Sequence, residues 1–211
     1  MNERNATKFI LELANKRQKF IDASRENDFE EGLARWLSQQ YPDNAHFLYE
    51  LLQNAEDAQA TFIRFELYQD LFLAEHNGHP FSQKNVNDIT GIGNTEKKDD
   101  PNAIGEFGIG FKAVFQYTNT PAVYSPPFAF KIWDLVLPEV IPADRALPPK
   151  HTRFVFPFNK PEKPCEEAHE EIALGLQAFS ETAILFLSSC IRKYEDVFWV
   201  ESRAWNMATS P

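Results

Sequence analysis

The chain has only two cysteines in 211 residues, Cys165 and Cys190. Two are too few for a disulfide framework, and neither sits in a C-x-x-C pair of metal-binding spacing, so both are read as reduced thiols. No stretch comes near the roughly 20 uninterrupted apolar residues that a membrane span needs. The opening MNERNATKFI is polar where a secretory leader must be apolar. A soluble, cytoplasmic protein is the expectation, with no membrane partner. Positive charge is also scarce: 21 Lys and Arg face 31 Asp and Glu, a formal net charge of -10. Nucleic acid is bound through clustered cations, so it is not the expected partner, and any anionic ligand must be met by local donors.

What is present is the material of a folded core, 43% hydrophobic residues with 19 Phe, in a length that suits one domain. The first 25 residues fit an amphipathic helix, as an arm or a packed flank. A second helix is expected from about 29 to 40, stopped by Pro42. A third, N-capped by Asn44, runs to about residue 60. The alternating TFIRFELY and DLFLAEHNG read as an antiparallel strand pair over 61–79. Residues 91–110 are loop chemistry of unusual length, and FGIGFKAVFQY restarts a helix at the far end. Strands are expected near FAFKIWDLV, HTRFVFPF and DVFWVES, and a long helix over 166–193. The organisation expected is a helical segment over 1–43, a core over 44–160 with a lid at about 91–104, and a C-terminal helix and strand over 161–211, open toward further domains.

Two segments carry chemistry. In HFLYELLQNAEDAQA, at about 100° per residue, Phe47, Leu48, Leu51, Leu52, Ala55 and Ala58 make an apolar face. Glu50, Asn54 and Asp57, spaced i, i+4, i+7, form a polar stripe about 60° wide on its border. A carboxylate and an amide carbonyl there suit a water and a hard cation such as magnesium, which prefers oxygen ligands; alone, the stripe reads as the edge of a solvated face. The second segment is IGEFGIGFK, residues 104–112, whose glycines let the backbone approach a ligand and whose N–H groups at a helix start can receive an anion. Its order is G-x-x-G-x-G, neither the dinucleotide nor the phosphate-loop pattern. His76 with His79, and Cys165 with His169, lack the additional ligands of a metal site.

Together, ELLQNAEDA, EHNG, IGEFGIGFKAVF and HTRFVFPF, in that order, resemble the motif set of the GHKL ATPases, in particular the ninety-kilodalton heat-shock chaperones and sacsin-type domains. The resemblance covers about 44–158. It implies an α+β Bergerat fold, a two-layer sandwich with a mixed, mainly antiparallel sheet and helices on one face. It implies ATP and Mg2+ as ligands and slow ATP hydrolysis that drives a lid or conformational change; the alternative is a non-hydrolysing or degenerate nucleotide-binding interaction module. Glu50 would be the general base and Asn54 the magnesium-binding side chain. Asp57 and Ala58 would line the pocket, and Gly105, Phe107, Gly108, Ile109 and Gly110 would offer backbone N–H groups to the phosphates. Lys112 would add charge there or lie on the solvent side of its helix, and Thr152 would reach the adenine. The family's D-N-G is His76-Asn77-Gly78 here, so Asn77, beside Gly78, is the substitute adenine acceptor. Protein partners, further domains or a homodimer fit the same resemblance.

Overall fold

The structure, a computed structural model, describes residues 1–26, 47–91, 110–186, 189–194 and 197–202, with side chains described up to residue 178. The expected helix at 29–40, the Asn44 cap, most of the lid, and Gly105, Phe107, Gly108 and Ile109 lie outside the described residues.

The elements are α1 (Glu3–Glu26), α2 (Phe47–Asp57), β1 (Phe62–Leu67), β2 (Leu71–His76), α3 (Gln83–Ile89), a 3-10 helix (Gly110–Gln116), β3 (Ala122–Ser125), β4 (Phe128–Trp133), β5 (Leu137–Val140), β6 (Thr152–Pro157), α4 (Cys165–Phe186), β7 (Ser189–Tyr194) and β8 (Val197–Ser202). This is an α+β fold around one sheet of order β5-β4-β3-β6-β2-β1-β8-β7. Every described pairing is antiparallel, where a mixed, mainly antiparallel sheet was expected. The expected helix over 166–193 is likewise corrected: it ends at Phe186, and Ser189–Tyr194 pairs with β8. An apolar spacing of four satisfies a helix face and alternate positions of a strand alike, and the available partner strand decides between them.

Strict alternation in the central strands gives the sheet one inner face of Ile63, Phe65, Phe72, Ala74, His76, Thr152, Phe154 and Phe156, all buried. The helices lie on that face. Phe47 of α2 sets its ring edge-on to Phe72 at 5.6 Å and to Phe156 at 5.9 Å, while Phe72 and Phe156 stack at 6.0 Å. Three interlocked rings thereby fix the rotation of α2, and with it the direction of the polar stripe. α1 is a packed flank: Ala6, Ile10, Leu13 and Ile21 are buried, and Phe9 meets Phe128 edge-on at 6.1 Å. Arg17 reaches the carbonyl of Asn87 at 3.1 Å, which ties α1 to the end of α3.

Candidate functional site

α2 stops because Gln59 takes a left-handed φ of 57°, with Gln59 N–H bonded to the Glu56 carbonyl and Ala60 N–H to that of Ala55. That pair of bonds is a Schellman close, here without its usual glycine. The freed Ala58 carbonyl accepts from the backbone N–H of His79 at 2.6 Å. Gly78 lies so close that an added Cβ would meet the Ala58 oxygen at 2.7 Å and its Cβ at 2.8 Å. The C-terminal end of α2 is thus fastened to the end of β2. Gly78→Ala should lower stability by about 1–3 kcal/mol through this overpacking; chemical denaturation measures it, and an unchanged midpoint would refute the contact.

Along the helix, Glu50 and Asn54 are half-buried, and Asp57, its last residue, is exposed. The two sequence motifs meet here: a Cβ on Gly110 would lie 2.0 Å from Glu50 Cδ and 2.2 Å from Oε2. A side chain at position 110 would displace the end of the Glu50 side chain. The distance from Glu50 to Asp57 along the helix is about 10 Å, so one end of α2 offers a carboxylate against backbone and the other abuts Gly78, Ala58 and the inner ends of β2 and β6.

Asn77 takes another place than that of a base acceptor. Its Oδ1 accepts from the N–H groups of Thr61 at 2.8 Å and Phe62 at 3.2 Å, and its Nδ2 donates to Thr61 Oγ1 at 2.7 Å. The amide is engaged in starting β1. Its neighbour His76 points inward and is buried, with Nδ1 accepting from Gly78 N–H at 3.1 Å. Burial, helped by the nearby His151, pushes the imidazole down to about 4 against the pull of Glu75, so the ring is neutral at pH 7. Thr152 is fully buried and register-paired with His76. Its Oγ1 is 2.6 Å from Ser125 Oγ, which accepts from Phe81 N–H at 2.8 Å. Ser125 was not singled out by sequence; the signal is a polar residue on an inward position of AVYS.

Lys112 lies neither toward solvent nor on a stripe residue. It is buried, with Nζ donating to the Ile89 carbonyl at 2.6 Å and to that of Leu135. Desolvation, with some repulsion from Arg17, lowers it to about 7. It braces the β4–β5 turn, where Asp134 and Leu135 hold left-handed φ values of 46° and 68° without a glycine.

On the outer face, Glu75 is buried and receives Arg153 Nε at 2.8 Å, Arg153 Nη2 at 2.6 Å and His151 Nδ1 at 2.8 Å, with Arg64 at 3.3 Å. Burial alone would raise the Glu75 carboxyl, but the hydrogen bonds from His151 and Arg153 and the two guanidinium charges outweigh it and hold it below its usual range. Arg153 Nη1 also binds Asp144 at 2.6 Å. Among the described residues no group of three or more His, Cys, Asp or Glu is placed to hold a metal ion, and no helix is long and apolar enough to cross a membrane.

Comparison with known proteins finds likenesses over part of the chain. Residues 66–145 match the sacsin domain. The chain is 35% identical to human sacsin over a region that is 42% of this chain and 2% of that protein. It is 33% identical to the Arabidopsis thaliana protein NO VEIN over 50% of this chain and 4% of that protein. The matched region is therefore a small fraction of either relative. Together these matches show a likeness to the sacsin domain over part of the chain. Among solved structures, the N-terminal domain of a DNA repair protein superposes with a TM-score of 0.44 at 17% identity, covering 71% of this chain and 43% of that one. The sacsin match takes in β2, His76-Asn77-Gly78, Gly110 and Lys112; Glu50 and Thr152 lie outside its bounds.

Proposed function

We propose that the chain is the nucleotide-binding domain of a sacsin-like protein, of GHKL type with a Bergerat fold, which takes Mg-ATP and hydrolyses it slowly. The observation that carries this reading is the contact of Glu50 with the backbone of Gly110. A carboxylate held against a glycine opening a short helix sets a proton acceptor beside N–H groups facing an anion. The donor set suits the ligand: Asn54 offers an amide oxygen to a magnesium ion four residues along the stripe from Glu50, whose carboxylate takes the space that a side chain at Gly110 would fill. When bound, the ion supplies charge neutralisation on the phosphates.

In this reading Glu50 orients an attacking water and accepts its proton. Asp57 and Ala58 border the nucleoside end of the helix, Gly105, Phe107, Gly108, Ile109 and Gly110 bind phosphate oxygens, and Thr152 faces the base. The core would run over 44–160, with the segment at about 91–104 as lid. Hydrolysis would drive a lid or domain change that is passed to further domains or to a second copy, in the cytoplasm.

A second reading, a nucleotide-binding module without turnover, draws support from the base end, where Asn77 is engaged with β1 and His76 replaces a carboxylate. Calorimetric titration with ATP, with and without magnesium, tests the first. Binding that strengthens at least tenfold with magnesium is expected. A folded sample that takes up no nucleotide at millimolar concentration would overturn it.

A further inference from the structure

A cavity of about 370 Å³ lies where the second half of α1, the end of the 3-10 helix and the β4–β5 turn come together. Phe20 and Ile21 line it from α1, Phe115 from the 3-10 helix, and Trp133, Leu135 and Val136 from the end of β4 and the turn. None of these is among the residues assigned above to the nucleotide. Sites for small molecules are concave and mainly apolar, hold a few placed polar groups, and begin at about 300 Å³. The walls are tied to one another. Arg25 of α1 pairs with Asp134 of the turn at 3.0 Å. Lys112 donates to the Leu135 carbonyl and lies 5.8 Å from the centre of the Phe115 ring, which joins the turn to the 3-10 helix. The Trp133 indole donates to Glu139 at 2.6 Å, with Lys131 over its ring at 4.8 Å. A wall held in this way loses little freedom when a ligand arrives. Phe20 and Trp133 nevertheless remain 48% and 37% exposed, so two aromatic side chains still have apolar surface to cover.

The polar groups decide the charge of the ligand. Asp134 is answered by Arg25. Lys163 is engaged with Glu167 at 3.5 Å and Glu171 at 2.6 Å. Lys160 lines the cavity and is half-buried, and its ammonium has no hydrogen-bond or ion-pair partner among the described residues. In a chain of net charge -10, an unanswered cation beside an apolar hollow complements an anion with an apolar body. We propose that this cavity binds a small amphipathic carboxylate, with its hydrocarbon part against Phe20, Phe115 and Trp133 and its carboxylate on Lys160 Nζ. The proposal stands apart from the nucleotide reading, and either can fail without the other.

The test is calorimetric titration of the folded chain with octanoate at neutral pH, with octanol as the uncharged control. One molecule per chain is expected, and octanoate should bind about tenfold more tightly than octanol, as one charge-assisted hydrogen bond implies. Lys160→Met should remove that preference and Lys160→Arg restore it. Ser24→Trp, which puts an indole into the cavity from α1, should abolish binding of both. Octanol binding as tightly as octanoate, or octanoate binding unaltered by Lys160→Met, would overturn the proposal. So would uptake of several molecules that Ser24→Trp leaves unchanged, or no uptake at millimolar concentration. Should a variant not fold, the wild-type comparison of octanoate with octanol decides alone.

Discussion

Replacing Glu50 with Gln should reduce nucleotide turnover by about two to four orders of magnitude and change magnesium-nucleotide binding by less than about threefold. The size follows from the task proposed for the carboxylate: Gln keeps the shape and one acceptor oxygen but cannot take a proton. The structure adds a companion variant. Gly110→Ala leaves Glu50 in the sequence yet puts a methyl group where its carboxylate now lies, 2.0 Å from Cδ and 2.4 Å from Cγ. The atoms displaced are the end of a flexible side chain, so the fold should tolerate the change while the carboxylate moves off the backbone. Turnover should fall nearly as far as in Glu50→Gln, measured as steady-state phosphate release at saturating nucleotide. Full activity in Gly110→Ala would show that the contact has no part in the chemistry. Full activity in Glu50→Gln would remove the general base from the mechanism, and absence of activity in the wild type would favour the module that only binds.

The second large effect is on stability. Lys112 titrates near 7 in the folded chain, chiefly because burial penalises its charge, against an ordinary value of 10.5. Below pH 7 both folded and unfolded chains hold the proton, and the burial penalty is borne in full. Between the two values the unfolded chain binds more protons than the folded one, so this group makes stability rise with pH. From pH 7 to 9.5 the gain is roughly 3 kcal/mol, at 1.36 kcal/mol per unit. Lys112→Met should remove the slope, while depriving the Ile89 and Leu135 carbonyls of their donor. Urea unfolding at a series of pH values, wild type against Lys112→Met, measures both. Parallel curves would mean that Lys112 keeps its charge throughout.

The helix with the stripe and the first strand pair were legible in the sequence because each repeats its natural period over many residues. Phe47 to Ala55 hold one face at 3.6 residues per turn, and Phe62 to Leu67 alternate strictly. α3 escaped because seven residues, QKNVNDI, give barely two turns and few apolar positions; its one signal was Ser82 followed by Asn85, which closes a reciprocal cap. Lys112 could not be placed from sequence. The short 3-10 helix around it is buried from Gly110 through Phe115, so it has no solvent side on which a lysine could lie. The hydrogen bonds of Asn77 were hidden for a related reason: an amide beside a glycine in a turn reads as a ligand acceptor, and only the start of β1 shows where those bonds go. The meeting of Glu50 with Gly110 joins residues 60 positions apart, and no local pattern encodes that.

The ion cluster on the outer face bears on the opposite side of the sheet. A slip of one residue between β2 and β6 would turn one strand's side chains over against the other's, so that His76 and Thr152 no longer shared the inner face, nor Glu75 and Arg153 the outer one. In the native pairing Glu75 stands opposite Arg153 while His76 stands opposite Thr152, one position along. The pair of hydrogen bonds from Arg153 Nε and Nη2 to Glu75 Oε2 can form in that alignment and is lost in its neighbours. Charges that never face the candidate site thus work as its alignment key: they index the two strands so that the imidazole and the hydroxyl arrive side by side.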